Sequence, residues 1–452
     1  MVIFTRFIYY VNKRGFEPAL MGKLKWQHTL LHSGGQNSSK SRKVIIVINL
    51  ISEIYKMREI KISDRIWFVG ENDRRKELFE NNWPLPYGVS LNTYVVNDEK
   101  TALIDTIEFG VAGNYIAKIK RVLAGKPLDY LVVNHLEPDH ASMIEGVLQA
   151  FPGVKVVGNM QTFKILQHYY SIPEENKLQV KDGEELVLGE SVLQFFTAPW
   201  VHWPETMVTY EKSTKTLFSC DAFGGFGALD GGIFDTNANF EAHYLSEMRR
   251  YYSNIVAKYS NMVQKALAKL GGLDIARICP SHGLVWNNPA KVVALYDKWS
   301  KQEADKGVVI AYASMYGNTE QMADHIGNLL GEKGIEVRTF DVSKTHVSYI
   351  LNEIWKYKAV VLGTCAYNTK MHPMMEHLCN EINLNEPKNK IWSLFGSSTW
   401  NGAGVKDLKK FAEENKLEIC GPVVEMTGAA SPEKIEAQAE ELAAAILDKL
   451  NH

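Results

Sequence analysis

The sequence predicts two folded domains of different class: an α+β domain of packed sheets, followed by an α/β domain with a doubly wound parallel sheet. In residues 57–300, short apolar runs separated by turn residues outnumber helical segments, which is typical of layered sheets. From residue 308 onward, strand and helix patterns alternate strictly, which is typical of a parallel sheet covered on both faces. The 452 residues are ample for two cores.

Residues 1–56 differ in composition from the rest of the chain. They contain nine Lys and Arg against only Glu17 and Glu53, a net charge of +7, so the remaining residues carry −9 of the total of −2. The segment lacks the early apolar core and cleavage site of a secretory signal. Because Met57-Arg58-Glu59-Ile60 looks like a protein start, we interpret residues 1–56 as a non-native or disordered basic extension, rather than as a basic targeting arm.

The pattern from residue 57 assigns the first domain, 57–304, element by element. Apolar runs predict strands at 60–69, 89–96, 101–105, 130–133, 155–157, 186–188, 192–196, 207–210, 216–218 and 275–279. Helical periodicity predicts helices at 115–123, 141–151 and 239–270. A charged segment without strand character, 299–306, is the expected linker to the second domain.

Residues 305–452 form the predicted second domain, which is about the size of one doubly wound unit. Strands are expected at 308–311, 337–340, 359–363, 390–395 and 422–426, and helices at 319–330, 347–354, 373–381, 405–414 and from 431 onward. In such a sheet, ligands bind beyond the carboxyl ends of the strands. The loops that follow the strands therefore hold the candidate binding residues.

Composition argues against several classes of protein. A net charge of −2 gives no support for a nucleic-acid or anionic-membrane partner. The five cysteines, odd in number and without a C-x-x-C pair, exclude a zinc ribbon or a rubredoxin-type iron site and are typical of reduced thiols in a cytoplasm. No apolar run approaches the roughly 20 residues that a bilayer-spanning helix needs.

The stretch 134–140, Asn-His-Leu-Glu-Pro-Asp-His, carries the densest set of candidate metal ligands. It directly follows the predicted strand 130–133, and alternation along an extended backbone would place His135, Glu137 and Asp139 on one face. His140 would then project from the entry of the following helix. Imidazole and carboxylate donors that gather at a strand end indicate a metal site.

Three later residues occupy the same kind of position, just beyond an apolar strand: His202, Asp221 and His282. Loops of this kind gather at one edge of a sheet, where a rigid scaffold can aim their side chains. A lone His or Asp in a loop is more often a surface residue or a cap. We interpret the other candidate histidines in that way: His168, His243, His325, His346, His372 and His377.

The order His-x-Glu-x-Asp-His, a His 62 positions later, an Asp and a final His resembles the metallo-β-lactamase-like core of flavodiiron proteins. The resemblance implies an αββα sandwich whose ligands fall into two groups bridged by Asp221: His135, Glu137, His202 and Asp221 for one iron, and Asp139, His140 and His282 for the other. Hydrolases of that superfamily read His-x-His-x-Asp-His. The carboxylate at Glu137 adds negative charge and a hard oxygen donor, which favours iron over zinc.

Three loops of the second domain offer groups for a phosphate and an aromatic ring. Residues 311–319 form a hydroxyl- and glycine-rich turn at a helix start, where backbone N–H groups and the helix dipole favour a phosphate. With neither a Gly-Lys-Ser/Thr ending nor a G-x-G-x-x-G pattern, a monophosphate fits best, although a plain helix cap would look the same. Loops 364–369 and 397–404 supply Tyr367 and Trp400, which are suited to contact an isoalloxazine ring or to fill a core.

This second half resembles the flavodoxins, and specifically the flavodoxin-like half of the flavodiiron proteins. The resemblance implies FMN bound by Ser314, Met315, Tyr316, Gly317, Asn318, Thr319, Thr364, Ala366, Tyr367, Asn368, Ser398, Thr399, Trp400 and Gly402. Cys365 stands where relatives often carry Pro, a departure that we do not expect to affect phosphate binding.

Together the resemblances imply an oxidoreductase in which FMN takes electrons from an external carrier and passes them to two iron ions, which reduce O₂ to water, NO to N₂O, or both. Because this chain has no rubredoxin module, a separate rubredoxin is the first expected donor, and a reduced deazaflavin or another small carrier is the second. Family members form head-to-tail homodimers that bring the FMN of one subunit beside the irons of the other. We expect such a dimer, or a dimer of dimers, here.

Two other interpretations compete with this one. A metal-dependent hydrolase with an appended flavodoxin-like domain is disfavoured by Glu137, because a zinc hydroxide site gains nothing from the extra charge. A flavin electron carrier with a vestigial β-domain is disfavoured by the complete ligand set. Tyr251 or Tyr252 could reach the substrate pocket, although tyrosines at helical spacing are more often core.

Overall fold

A computed structural model describes residues 59–429 and 431–452 of the chain. The interpretation of residues 1–56 as a basic extension concerns a segment that lies outside the described residues. Among the described residues, no helix is both long enough and apolar enough to cross a lipid bilayer.

The first half is built on two main sheets that share one hydrophobic core. Its strands, in chain order, are Ile60–Lys61 (β1), Ile66–Phe68 (β2), Glu71–Asp73 (β3), Leu78–Phe79 (β4), Trp83–Pro84 (β5), Val89–Leu91 (β6), Tyr94–Asn97 (β7), Thr101–Ile104 (β8), Tyr130–Val132 (β9), Lys155–Gly158 (β10), Lys177–Gln179 (β11), Glu185–Val187 (β12), Val192–Thr197 (β13), Met207–Glu211 (β14), Thr216–Cys220 (β15) and Arg277–Pro280 (β16). One sheet has the order β1-β2-β7-β8-β9-β10-β11 and the other β12-β13-β14-β15-β16, while β3-β6 and β4-β5 form two small pairs.

Helices complete this half. They are Tyr115–Leu123 (α1), Pro138–Ala141 (α2), Ile144–Ala150 (α3), Met160–Leu166 (α4), Phe240–His243 (α5), Leu245–Tyr251 (α6), Ser260–Leu270 (α7) and Pro289–Ser300 (α8). The sequence analysis missed α4 and α8, although both have a start signal: Asn159 forms a capping box with Thr162, and Pro289 occupies the first turn of α8.

The second half has the doubly wound architecture that the alternating pattern predicts. Its elements are Asp305–Ala313 (β17), Asn318–Glu332 (α9), Val337–Asp341 (β18), Val347–Lys356 (α10), Tyr357–Tyr367 (β19), Lys370–Met371 (β20), Pro373–Asn385 (α11), Ile391–Ser398 (β21), Ala403–Glu414 (α12), Val424–Thr427 (β22) and Pro432–Asn451 (α13). Five strands pair in parallel in the order β18-β17-β19-β21-β22, with β20 antiparallel to β19. The carboxyl ends of these strands therefore meet at one edge.

Two predicted strands are wrong because each is divided. The predicted strand 60–69 is the antiparallel pair β1 and β2. The predicted strand 89–96 is β6 and β7, which belong to different sheets. Between them, Asn92 donates from its backbone N–H to the Ser281 carbonyl at 2.7 Å and from its side chain to the Gly283 carbonyl at 2.9 Å. These bonds tie the segment to the loop after β16 and end the alternation.

The predicted helix 239–270 and the predicted linker 299–306 are also wrong in extent. The helix is interrupted by a π-helical turn, Tyr252–Val256, and the 3₁₀ turn Ala257–Tyr259. Asn254 donates from its side chain to the Arg250 carbonyl at 2.7 Å, a bond that competes with the regular helical ladder. Only residues 301–304 separate α8 from β17, because Trp299 is buried and its carbonyl accepts a hydrogen bond from the Trp355 indole at 3.1 Å.

Helix α6 of the first half packs against α10 of the second. The Nε of Arg249 donates to Asn352 Oδ1 at 2.9 Å, and its Nη2 lies 2.9 Å from Glu353 Oε1. Asn254 donates to the Ser348 carbonyl at 3.2 Å. The two halves are therefore joined by polar contacts as well as by the shared core.

Arg250 is the most deeply buried cation of this interface. Its guanidinium is fully buried, lies 2.5 Å from the Glu247 carboxylate and donates to Ser348 Oγ at 3.2 Å. The ring centroids of Phe226 and Tyr349 lie 4.4 Å and 4.6 Å from the guanidinium carbon. At these distances the negative faces of the rings stabilise the positive charge. The Glu247 charge is therefore compensated by a cation held from both halves.

Replacement of Arg250 by methionine is expected to lower the free energy of unfolding by about 3–5 kcal/mol, because it leaves the buried Glu247 carboxylate without its partner. Urea denaturation measures the change. The double variant E247L/R250M removes both charges and should recover most of the loss. A single variant that is no less stable than the double variant would contradict this account of the pair.

The lowered pKa of Lys390, the residue before β21, leads us to expect that the stability of the fold depends on pH. The Nζ of Lys390 donates to the Tyr357 carbonyl at 2.8 Å, and burial lowers the pKa of Lys390 to about 7. The unfolded chain has a lysine pKa of about 10.4, so it binds more protons than the folded chain between about pH 7 and 10, and stability must rise with pH across that window. We expect wild type to gain stability relative to K390M between pH 7 and 9, by at most about 1.4 kcal/mol per pH unit.

Urea denaturation at the two pH values tests this expectation. The exposed Lys388→Met variant is the matched control, and its difference from wild type should not change with pH. A pH-independent difference between K390M and wild type would show that the amine keeps its ordinary pKa.

Candidate functional site

The segment 134–140 follows β9, and its candidate ligands lie on two different elements. His135 and Glu137 lie in the loop, whereas Asp139 and His140 lie on the short helix α2. The sequence analysis was wrong to place Asp139 on the same extended face as His135. Pro138 occupies the first turn of α2, so the backbone turns helical directly after Glu137 and carries Asp139 to another side.

Four donors form the first group, defined here as His135, Glu137, His202 and Asp221. One ligand atom from each lies within 4.8 Å of the others, and all four residues are buried. Glu137 Oε2 is 3.3 Å from His135 Nε2 and 3.1 Å from His202 Nε2. Asp221 Oδ2 is 3.4 Å from each of the same two nitrogen atoms.

Three donors form the second group, defined as Asp139, His140 and His282, which is also buried and within the same 4.8 Å limit. Asp139 Oδ2 is 3.1 Å from His282 Nε2 and 3.4 Å from His140 Nε2. The other oxygen of Asp221, Oδ1, is 2.9 Å from His140 Nε2. Asp221 therefore presents one carboxylate oxygen to each group, which is the placement of a bridging ligand.

The donors fit a pair of metal ions. Both carboxylate oxygens of Asp139 and of Asp221, and the Nε2 atoms of His140 and His282, have no hydrogen-bond partner of good geometry among the described residues. Buried polar atoms without partners are costly, so their convergence indicates cations as the missing partners. Carboxylate oxygens with imidazole nitrogens are donors that suit iron.

The carboxylates of the two donor groups also raise the pKa values of the neighbouring imidazoles. Burial lowers the pKa of His135, but hydrogen bonds to Glu137 and Glu205 outweigh it and raise the pKa to about 10. The pKa of His202 is raised to about 10 and that of His140 to about 9, again by carboxylates that outweigh burial. The raised pKa values favour protonated imidazoles where a metal ion would need neutral ones, so we expect metal binding to release protons and to weaken in acid.

The structure adds Glu80, which the sequence analysis missed. Burial and the neighbouring Glu137 carboxylate raise the pKa of Glu80 to about 7, and the Trp83 indole donates to Glu80 Oε2 at 2.9 Å. Glu80 lies just after the short strand β4, in a part of the sequence without a recognisable motif. Only its contact with Glu137 identifies it.

The two candidate tyrosines have different surroundings. The Tyr251 ring lies 5.7 Å from the His282 ring and 5.1 Å from Phe226, and its hydroxyl has no hydrogen-bond partner among the described residues. Burial, followed by nearby carboxylates, raises the pKa of Tyr251 well above its ordinary value. Tyr252 instead points into the core, where its hydroxyl lies 3.0 Å from Ser260 Oγ. Tyr251 is the tyrosine beside the candidate metal ligands.

The carboxyl ends of β17, β19, β21 and β22 and the residues that follow them meet in a small depression, which we call the cradle. It is lined by Ser314, Met315, Tyr316, Asn318, Thr319, Cys365, Ala366, Ser397, Ser398, Thr399 and Gly428. Of these, Cys365, Ser397 and Gly428 were not among the predicted contacts. The remaining predicted contacts lie at the ends of the same strands or directly after them but do not line the depression: Gly317, Thr364, Tyr367, Asn368, Trp400 and Gly402.

The polar groups of the cradle are preorganised. Thr319 Oγ1 lies 2.9 Å from Ser397 Oγ, and Gly317 donates its N–H to Ser314 Oγ at 3.1 Å. Helix α9 begins at Asn318, so its N-terminal dipole is directed at the loop, as a phosphate requires. Tyr316 and Trp400, 89% and 81% exposed, stand at the rim, where an aromatic ring could be covered.

Each half of the chain matches the model of a known protein family. The model described as the ODP family β-lactamase matches residues 89–283, and the flavodoxin model matches residues 310–441. The fold and sites thus define a class, a β-lactamase-like domain with a dinuclear metal site joined to a flavodoxin domain.

Individual relatives cover both domains. A nitric oxide reductase of Moorella thermoacetica is 32% identical over 373 residues, 81% of this chain and 93% of that protein. The solved rubredoxin:oxygen oxidoreductase of Desulfovibrio gigas has a TM-score of 0.82 at 30% identity, and the match covers 87% of this chain and all of that one. A mutant flavo di-iron protein of Thermotoga maritima has a TM-score of 0.80 at 29% identity, over 87% and 99% of the two chains.

The chain belongs to the flavodiiron proteins. The predicted fold, a metallo-β-lactamase-like αββα domain followed by a flavodoxin-like domain, is confirmed. The chain is an oxidoreductase, and its cofactors are FMN and a diiron centre.

Proposed function

We propose that the chain reduces O₂ to water, NO to N₂O, or both, with electrons that pass from an external carrier through FMN to two iron ions. The observation that carries the proposal is the convergence of two buried donor groups that share Asp221. The names of the relatives, a nitric oxide reductase and a rubredoxin:oxygen oxidoreductase, support both gases as substrates.

The roles of individual residues follow from this geometry. We propose His135, Glu137, His202 and Asp221 as ligands of one ion, Asp139, His140 and His282 as further ligands of the other, and the predicted loop residues of the second half as FMN contacts. Bound iron supplies a redox-active centre for a diatomic gas, and bound FMN relays electrons singly or in pairs. The buried carboxylates of both donor groups would hold the ions, and the Tyr251 ring, which packs on Phe226, would limit the access of water beside His282.

We propose domain limits of 57–304 and 305–452, which enclose the two matched regions. A small carrier such as rubredoxin is the proposed donor, as the name of the D. gigas relative suggests. A head-to-tail homodimer, or a dimer of such dimers, is the proposed assembly, because exposed Tyr316 and Trp400 at the cradle rim are suited to be covered by a second copy. The five free cysteines suit a reducing cytoplasm.

Anaerobic stopped-flow kinetics test the proposed function. Protein loaded with iron and FMN is reduced by reduced rubredoxin and then mixed with O₂ or with NO, while flavin absorbance reports reoxidation. We expect rapid reoxidation by at least one gas, with water or N₂O as the product. Slow reoxidation by both gases, no faster than that of metal-free protein, would refute the proposal.

Tyr251 is proposed to hold a proton at its phenolic oxygen beside the second donor group. The Tyr251 hydroxyl has no hydrogen-bond partner among the described residues, and its raised pKa keeps it protonated at neutral pH. We expect Y251F to lower turnover about tenfold or more, within the range of a lost proton donor, while iron and FMN contents stay at wild-type values.

The matched control is Tyr252→Phe. This variant loses the contact with Ser260 and should lower stability by about 1 kcal/mol, with unchanged turnover. Equal turnover in Y251F and wild type would exclude a role for the Tyr251 hydroxyl.

A further inference from the structure

The two donor groups have the same composition once the shared Asp221 is set aside. The first contributes the carboxylate of Glu137 and two imidazoles, and the second contributes the carboxylate of Asp139 and two imidazoles. By these donors alone, the two ions would have nearly equal environments. A difference between the two metal environments then depends on the groups that contact the ligands on the side away from the ions.

The imidazoles differ in what contacts their Nδ1 atoms. His135 Nδ1 lies 2.8 Å from Glu205 Oε1, a carboxylate oxygen. His282 Nδ1 lies 2.7 Å from the Ser90 carbonyl, a neutral acceptor. The Nδ1 of His140 has no partner among the described residues. Of these three ligands, His135 alone has a charged acceptor behind it.

Glu205 is held firmly in this position. It is fully buried, and the same Oε1 accepts the Leu136 N–H at 3.0 Å. Its backbone carbonyl accepts a bond from the Asn159 side chain at 2.6 Å, and the Trp203 ring packs edge-on against His135 at 5.1 Å. The carboxylate therefore fixes the ring of His135 and joins the loop that carries His135 to the loop that carries His202.

A carboxylate that accepts the Nδ1 proton makes the opposite nitrogen a stronger donor, because it stabilises positive charge that the ring acquires from a metal. The effect is greater for a ferric ion than for a ferrous ion. It is also greater in a buried site than in water, because the local dielectric constant is low.

We propose that Glu205 is a positioning residue that makes the two iron positions unequal, so that the ion held by His135, Glu137, His202 and Asp221 is the more readily oxidised of the pair. The inference rests on the proposed function, because it concerns two bound iron ions. It adds which ion gives up its electron first and which residue determines the order.

The variant Glu205→Gln tests the proposal. Glutamine keeps an oxygen that can accept both the His135 and the Leu136 protons, so the loop is retained while the charge is lost. A redox titration of the iron-loaded protein, followed by electron paramagnetic resonance of the half-reduced state, gives the two midpoint potentials. Second-layer variants change metal affinity about 10–100-fold. A tenfold loss for the ferric ion alone would raise the lower midpoint by about 59 mV and leave the upper one in place.

The matched control is Glu211→Gln, a buried glutamate of the same domain that accepts bonds from Ser213 and Thr214 rather than from a metal ligand. It should leave both potentials unchanged. A Co²⁺ titration of metal-free protein gives a second measurement that needs no iron loading: E205Q should weaken one of the two binding constants about tenfold and spare the other.

If E205Q does not fold, Glu205→Asp tests the same claim, since its shorter side chain withdraws the charge from His135 Nδ1 and should move the lower midpoint towards the upper one. Wild-type protein with two irons whose potentials coincide, or E205Q with unshifted potentials, would overturn the inference and leave the proposed function standing. Wild-type protein that binds no iron pair would instead overturn the proposed function.

Discussion

Replacement of Asp221 by alanine is expected to abolish gas reduction while the protein keeps its flavin. Asp221 is fully buried and presents Oδ1 to the second donor group and Oδ2 to the first, so its loss removes a ligand from both ions at once. Variants that only orient a ligand already cost about 10–100-fold in metal affinity or activity, and a shared ligand should cost more. We expect iron content near zero and a turnover loss of more than about a hundredfold.

Iron analysis, flavin absorbance and stopped-flow kinetics on one preparation of D221A measure these effects. Asp129→Asn is the matched control, because Asp129 accepts the Thr101 N–H at 2.8 Å before the start of β9, at the other end of the strand that leads to His135. Its turnover should equal that of wild type. Two bound irons and normal turnover in D221A would refute the bridging role.

Replacement of Glu137 by histidine is expected to change which metal the chain selects. The variant restores the His-x-His-x-Asp-His order of the hydrolases and replaces a hard, charged oxygen donor by a neutral nitrogen. Because Glu137 Oε2 lies 3.1 Å from His202 Nε2 inside the first donor group, the change removes a negative charge that would stabilise a ferric ion there.

We expect E137H, produced with equal supplies of iron and zinc, to contain more zinc than iron and to lose gas reduction. Glu137→Asp keeps the carboxylate and serves as the control: it should retain iron, with weaker affinity. Metal analysis by mass spectrometry measures both. An E137H protein that still selects iron would mean that the carboxylate does not determine the metal.

The sequence pointed to the candidate ligands because each of them follows an apolar strand. Strand ends gather at one sheet edge, so His202, Asp221 and His282 come together although they are far apart along the chain. The same reasoning found the three cradle loops, since parallel strands place their carboxyl ends together. Position relative to a strand is a property that the hydrophobic pattern records.

The residues that contact the candidate ligands on the side away from the metal site could not be recognised in the sequence. Glu205 bonds to His135 across 70 residues, and Glu80 contacts Glu137 from the turn after a short strand outside the main sheets. Neither has a motif, and a buried glutamate has the same appearance in a sequence as an exposed one. Asp139 was misplaced for a local reason, because Pro138 starts a helix where the alternation of residues indicated an extended chain.

Errors in the elements have the same origin. The break of the predicted helix 239–270 depends on the Asn254 side chain, whose bond to the Arg250 carbonyl does not disturb the apolar periodicity. In the cradle, Ser397 and Gly428 are brought to the site by the sheet order, which the sequence predicted only as a class. Tertiary contacts, rather than local preference, determine these details.

The metal content of the purified chain tests the central claim most directly. The protein is produced with iron and zinc both in excess, and metals are measured per chain together with the Mössbauer spectrum of the iron. Two buried donor groups that share Asp221 predict two irons per chain, coupled to each other in the oxidised state. Zinc in place of iron, or less than one metal ion per chain, would contradict a diiron centre.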